Sequence, residues 1–329
     1  MVRIAVLDDF ASVAKDAADW DSIPDAEVVF FNDHLADAEG LVNRLKDFEV
    51  IQVMRERTNI HAEVIDNLPK LKMISSTGGR HPHIDLEAAK RRGIVVTGTP
   101  ARPGKGSGDA TPELAWGLII GLMRHIPWED RQLRQGHWQT RLGESLGGKV
   151  LGIQGLGRVG KRMAEIAHVF SMDVIAWGPT LDAKRASESG ATYVSWDDLY
   201  RQSDVLTIHV PLTDLSRGWI GARELGLMKP TAYLINTSRG PIVQEDALLD
   251  ALRNHAIAGA AIDVYGEEPI AVGHPFLALD NVVVTPHLGY ASKEGLENFY
   301  ELAVENIKKF VAGEPINTVN PDALGNKGT

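Results

Sequence analysis

Arg239, Glu268 and His287 are residues whose types can do chemistry together. Each follows a β-like run: Arg239 after 232–236, Glu268 after 258–262, His287 after 282–285. In an open α/β sheet, ligands bind outside the carboxyl ends of the strands, so the spacing predicts that three strands deliver these groups to one edge. An Arg fork grips a carboxylate through two hydrogen bonds. A His titrates near neutrality and can give a proton to a carbonyl oxygen as it becomes an alkoxide. A carboxylate beside it holds the ring and favours its protonated form. The set suits hydride transfer to a 2-oxo acid. Singly, each has a plainer reading: a surface ion pair, a solvated loop acid, a structural histidine. Their convergence favours the chemistry.

Gly155, Gly157 and Gly160 follow the run 150–154 and open a helix, with a second strand to follow at 173–177. This is the context a dinucleotide fingerprint requires. Gly155 permits a tight turn, Gly157 lets backbone approach a pyrophosphate, and Gly160 lets helix pack on strand. The helix N-terminus then offers free amides to the phosphates. An acid for the ribose is expected where the second strand ends, but Gly178 stands there, followed by Thr180. NADP is therefore expected to be accepted as well as NAD. Lys184 and Arg185 lie beyond, with Asp182 as the nearby acid. Gly104 and Lys105 fall short of a P-loop, because Gly106 stands where Ser or Thr is needed. His81 and His83 flank Pro82 without a matching carboxylate motif, so no metal is expected.

The elements that must position these groups are legible as an alternation. Short apolar runs fall at 4–7, 28–31, 50–54, 72–75 and 94–97, with amphipathic stretches at 36–46 and 61–68 between them. A second series runs through 150–154, 174–177, 205–209, 232–236, 258–263 and 282–285. The pattern predicts parallel α/β structure. Residues 98–110 carry four glycines and two prolines and read as a linker or active-site loop. Thr111 is the expected N-cap of the next helix, with Pro112 at its first position and Glu113 in its first turn. A last helix is expected over 292–312, stopped by Gly313.

With 329 residues the chain is long enough for two domains. It is 44% hydrophobic and 24% charged, the balance of a globular protein. The formal net charge of −10 argues against binding nucleic acid through its phosphates. With no cysteine, a disulfide scaffold, a Cys-type zinc site and a Cys nucleophile are excluded. The apolar run at the N-terminus ends at Asp8 and Asp9 and reads as a strand, not a signal peptide. The apolar stretch 114–123 is far short of the ~20 residues a bilayer needs, and a cytoplasmic protein is the expectation.

Four segments, 155–160, 228–240, 262–269 and 285–289, together resemble the D-isomer-specific 2-hydroxyacid dehydrogenases, and the resemblance covers nearly the whole chain. It implies an α/β fold of two Rossmann-like or flavodoxin-like parallel-sheet domains, the cofactor domain inserted into the substrate domain. Residues 1–100 plus 290–329 would form the substrate domain and 101–289 the NAD(P)-binding Rossmann domain. The implied activity is reduction of a small 2-oxo acid to an (R)-2-hydroxy acid, or the reverse, on substrates like hydroxypyruvate, glyoxylate or 3-phosphoglycerate. Arg239, Glu268 and His287 match the family's catalytic Arg, Glu and His. Asp263 matches an acid on the nicotinamide side. Arg158 and Val159 complete the glycine loop, and Val210, Pro211 and Thr237 line the cofactor cleft. In the first domain, the loop Ser76, Thr77, Gly78 and Gly79 resembles one whose backbone amides hold the substrate carboxylate. Arg55 matches a position that reaches the substrate's far end. A homodimer is implied, with the helix near Thr111 and the Trp138 segment in the interface.

The chain departs from the family at Gly178 and in its Gly- and Pro-rich 100–110 segment, and no regulatory domain is expected after Pro321. A dinucleotide-sensing corepressor on the same fold is the rival reading, but a sensor has no need of all three groups. Formate oxidation is a second, and Glu268 argues against it because the formate enzymes carry Gln there.

Overall fold

Apolar runs with no polar alternation are strands buried on both faces, which is how a parallel sheet covered by helices reads. The computed structural model describes residues 1–79, 81–100 and 109–325. Its chain divides into two units. The second is Asp109–Ala291, and the chain on either side of it makes the first, so the second is inserted into the first.

The first unit carries β1 (Val2–Val6), β2 (Ala26–Phe30), β3 (Val50–Val53), β4 (Met73–Ser76) and β5 (Val95–Thr97). They pair in parallel in the order β2-β1-β3-β4-β5. One face packs Ile51, Val53 and Ile74 against Leu41, Leu45 and Ile65 of the covering helices. The other face receives the helix Lys293–Val311, which buries Tyr300, Leu302 and Ile307. Ser292 caps that helix by accepting from the Gly295 amide at 3.1 Å, and Gly313 follows it at φ 81°.

The second unit carries β6 (Val150–Gln154), β7 (Asp173–Trp177), β8 (Thr192–Tyr193), β9 (Val205–Ile208), β10 (Tyr233–Asn236), β11 (Gly259–Ile262) and β12 (Val282–Val284). The order is β12-β11-β10-β9-β6-β7-β8, with parallel pairing. β8 has only two residues, both exposed, and no periodicity announces it. Strand order reverses at β6, which has β7 on one side and β9 on the other. That is the switch point at which such sheets bind ligands.

The helix after the Gly- and Pro-rich segment corrects the sequence reading. It spans Ala110–Met123, and Asp109, not Thr111, is its N-cap. The Thr111 hydroxyl donates instead to the Gly289 carbonyl at 2.6 Å, a stronger claim on it than capping. Of the 98–110 loop, residues 101–108 lie outside the described residues. No described helix is long and apolar enough to cross a membrane.

Candidate active site

Three strand ends of the second unit build the site. β10 ends at Asn236, whose side-chain amide donates to the Arg239 carbonyl at 3.0 Å and accepts from the Ser238 amide at 3.0 Å. This clamps the turn that presents Arg239, half-buried, just past the strand. Gly240 seats the turn: a Cβ there would stand 2.1 Å from the Tyr265 carbonyl carbon.

β11 runs into Asp263, which is fully buried. Its Oδ1 accepts from the Thr285 hydroxyl at 2.6 Å and the Leu288 amide at 2.7 Å, and its Oδ2 from the Gly289 amide at 2.9 Å. Burial pushes this carboxyl up, partly countered by those three donors. The bonds bracket His287, which adopts φ 54°. A left-handed backbone costs a non-glycine residue about 1 kcal/mol or more, so the turn needs such bracing.

The outcome is a contact between two loops. His287 Nδ1 lies 2.5 Å from Glu268 Oε2, and the Tyr265 amide donates to the other Glu268 oxygen at 3.0 Å. A carboxylate facing Nδ1 keeps a proton there, which leaves Nε2 to give or take the reacting one. Sequence reasoning missed the supports: Asn236, Thr285, Tyr265 and the structural work of Asp263. A polar residue ending a buried strand was the one signal for Asn236.

The glycine loop fits a dinucleotide. Gly155 has φ 102°, and a Cβ there would stand 2.8 Å from the His209 carbonyl oxygen and from Val210. A Cβ on Gly160 would reach 2.2 Å from the Gly155 carbonyl oxygen, whereas one on Gly157 would meet nothing within 4 Å. Gly157 heads the helix Arg158–Val169, and no side chain caps it. Its first turn, with the amides of Val159 and Gly160 behind Arg158, is the place where a helix meets an anion. Thr237 Oγ1, buried at the end of β10, has no hydrogen-bond partner and suits a cofactor polar group. Val210 and Pro211 follow β9, Val210 buried and Pro211 exposed. Gly178 follows β7, its Cβ position 3.9 Å from Gly155 Cα. The Thr180 carbonyl accepts from the Arg185 guanidinium. Asp182 accepts from the Arg185 amide at 2.8 Å and is occupied as a helix cap.

In the first unit, Arg55, Thr77 and Gly78 come together. Arg55 has φ 55°, its amide donates to Thr77 Oγ1 at 2.8 Å, and its Nη1 lies 3.3 Å from the Cβ position of Gly78. The loop amides are less available than their sequence suggested. Thr77 donates to the Val53 carbonyl at 3.1 Å and Gly78 to Thr99 Oγ1 at 2.7 Å. Gly79, exposed and with open space at its Cβ position, is the residue whose amide could meet a carboxylate. His81 and His83 are buried near the Ser76 hydroxyl, at 2.9 Å from Nδ1 and 3.4 Å from Nε2 respectively.

Residues 116–289 match the family model for the NAD binding domain of D-isomer specific 2-hydroxyacid dehydrogenases. A glyoxylate reductase of Thermococcus litoralis is 38% identical over 309 residues, 91% of this chain and 92% of that one. A D-3-phosphoglycerate dehydrogenase of Archaeoglobus fulgidus is 38% identical over 285 residues, 86% of this chain and 53% of that one. Among solved structures, a phosphoglycerate oxidoreductase from Vibrio cholerae superposes with a TM-score of 0.88 at 37% identity, covering 95% of this chain and 100% of that one.

Proposed function

The chain belongs to the D-isomer-specific 2-hydroxyacid dehydrogenase family, and we propose how its own residues perform the NAD(P)-dependent hydride transfer on 2-oxo and 2-hydroxy acids that membership brings. Nothing in the comparisons supports a corepressor. The observation that carries the proposal is the 2.5 Å contact between His287 and Glu268 at the ends of neighbouring strands.

When bound, the reduced nicotinamide supplies the hydride to the carbonyl carbon. The glycine loop and the first turn of Arg158–Val169 would hold the pyrophosphate. Val210, Pro211, Thr237, Gly178 and Thr180 would line the rest, and Asp263, on the side assigned to the nicotinamide, braces the loop of His287. The Arg239 guanidinium binds the substrate carboxylate and polarises the carbonyl. His287 Nε2 gives its proton to the carbonyl oxygen, and Glu268 holds the ring in place through Nδ1. In the oxidation direction the same nitrogen takes the proton.

We assign the cofactor to the Asp109–Ala291 unit and substrate positioning, through Gly79 and Arg55, to the other. The substrate is a small 2-oxo acid of the glyoxylate, hydroxypyruvate or 3-phosphoglycerate kind. The protein is a cytoplasmic homodimer in this reading. The dimer is supported by apolar side chains on and after the helix Ile126–Arg134, among them Trp138 at 78% and Leu142 at 93% exposure. A nicotinamide-absorbance assay with a panel of 2-oxo acids, run with NADH and with NADPH, tests the reading. No turnover with any 2-oxo acid would end it.

A further inference from the structure

We infer that Tyr265 is a positioning residue for the Glu268–His287 pair, joining the two loops through its backbone and its hydroxyl without touching substrate. The inference rests on the proposal that His287 gives the proton. Tyr265 is buried in the loop between β11 and Glu268. Its amide donates to Glu268 Oε1 at 3.0 Å. Its hydroxyl lies 2.9 Å from the Thr285 carbonyl oxygen and 3.2 Å from that of Ile262. The His287 amide donates to the same Thr285 carbonyl at 3.1 Å. One side chain therefore ties the end of β11 to the turn that carries His287, while its own backbone holds the carboxylate that meets His287. The turn of Arg239 also rests on Tyr265, through the close approach of Gly240.

The ring has a fixed seat. It packs edge-on against His274, ring centroids 6.3 Å apart. His274 is itself held at both nitrogens: Nδ1 accepts from the Phe276 amide at 3.3 Å, and Nε2 lies 3.0 Å from Glu245 Oε1. Burial pushes the phenol up from its ordinary range, so the hydroxyl remains a donor throughout the neutral range. A phenylalanine at 265 would keep the ring and the amide and delete only the hydroxyl's ties to Thr285 and Ile262. His287, at φ 54°, then loses one restraint on a turn that is not intrinsically favoured. Misplacement of a reacting group by ~1 Å can cost about a hundredfold in rate, so a partial loosening should cost less.

The test is Tyr265→Phe, measured for kcat, KM of the 2-oxo acid, Kd of the cofactor, Tm and the pH profile of reduction. The expected result is a fall in kcat of about five- to tenfold, with KM and Kd within twofold. The pH profile of kcat should change along with kcat, because the lost tie lets the turn of His287 shift against Glu268. A merely structural tyrosine would lower Tm and leave kcat and the profile in place, and that result overturns the inference. His287→Ala in the same assay separates the two levels. If it is inactive while Tyr265→Phe is unchanged, only the role of Tyr265 fails. If it turns over normally, the proton-donor proposal fails and this inference with it.

Discussion

Asp263 and Gly289 lie 26 residues apart in sequence, yet the Gly289 amide donates to Asp263 Oδ2 at 2.9 Å. With the Leu288 amide and the Thr285 hydroxyl on Oδ1, this closes a ring of bonds around His287. A buried carboxylate is spent on holding one imidazole in place. Removing it leaves three donors unsatisfied, each at about 1–3 kcal/mol. Asp263→Ala should therefore lower both kcat and Tm. Thermal melting beside steady-state kinetics checks this, and a variant as stable and active as the parent would count against it.

The charge of Glu268 should matter beyond its shape. Glu268→Gln keeps a hydrogen-bonding group opposite His287 Nδ1 but removes the negative charge beside the ring. We expect kcat for reduction to fall by about ten- to a hundredfold at neutral pH, with KM little changed. Kinetics in both directions check it: the equilibrium constant fixes the ratio of the two kcat/KM values, so both should fall together.

Arg239→Lys should not behave as a conservative change, because a point charge cannot replace a planar fork. The expected outcome is a raised KM for the 2-oxo acid with cofactor affinity unchanged. If KM holds while cofactor binding collapses, Arg239 belongs to the cofactor.

Gly178 and Asp182 set the expectation for the cofactor. The position of the usual ribose acid is a glycine, and Asp182 is committed to the Arg185 amide. The Arg185 guanidinium lies over the same loop, on the Thr180 carbonyl. NADPH should be accepted with kcat/KM no worse than about tenfold below NADH, a difference of ~1.4 kcal/mol. A Cβ at 178 would meet only Leu181 at 3.5 Å and Gly155 at 3.9 Å, so Gly178→Asp is sterically tolerable. That variant should shift preference toward NADH by repelling the extra phosphate. A thousandfold wild-type preference for NADH contradicts this account.

His83 predicts an acid sensitivity of the first unit. Burial pushes its imidazole down to about 4. An unfolded histidine titrates near ~6.5, so the unfolded state binds the extra proton first as pH falls. This contribution is complete above pH ~6.5 and is lost progressively down to pH about 4, at up to ~1.4 kcal/mol per pH unit. Tm measured across that range should fall less steeply for His83→Gln than for the parent. Parallel slopes would remove His83 as the cause.

Much of this architecture is legible because its signals are local. Buried parallel strands are continuous apolar runs, and Gly155, Gly157 and Gly160 come directly after one of them. Arg239, Glu268 and His287 each stand a few residues past a strand end, where sheets of this kind place their ligand-binding groups. The partners that escape are tertiary. Thr111 looks like a cap, but its hydroxyl is taken by Gly289, 178 residues away. The amides of Thr77 and Gly78 look available until Val53 and Thr99 are seen to use them. Asp263 reads as a cofactor ligand, and its visible partners are the loop of His287. No local rule reports such long-range partners.

The most direct measurement is the turnover number of His287→Ala for reduction of the best 2-oxo acid, taken beside its cofactor Kd. Loss of a positioned general acid should lower kcat by at least ~10²-fold. Cofactor Kd should stay at the parent value, because the glycine loop lies on other strands. Near-parental turnover, or a loss explained by weakened cofactor binding, would contradict the account.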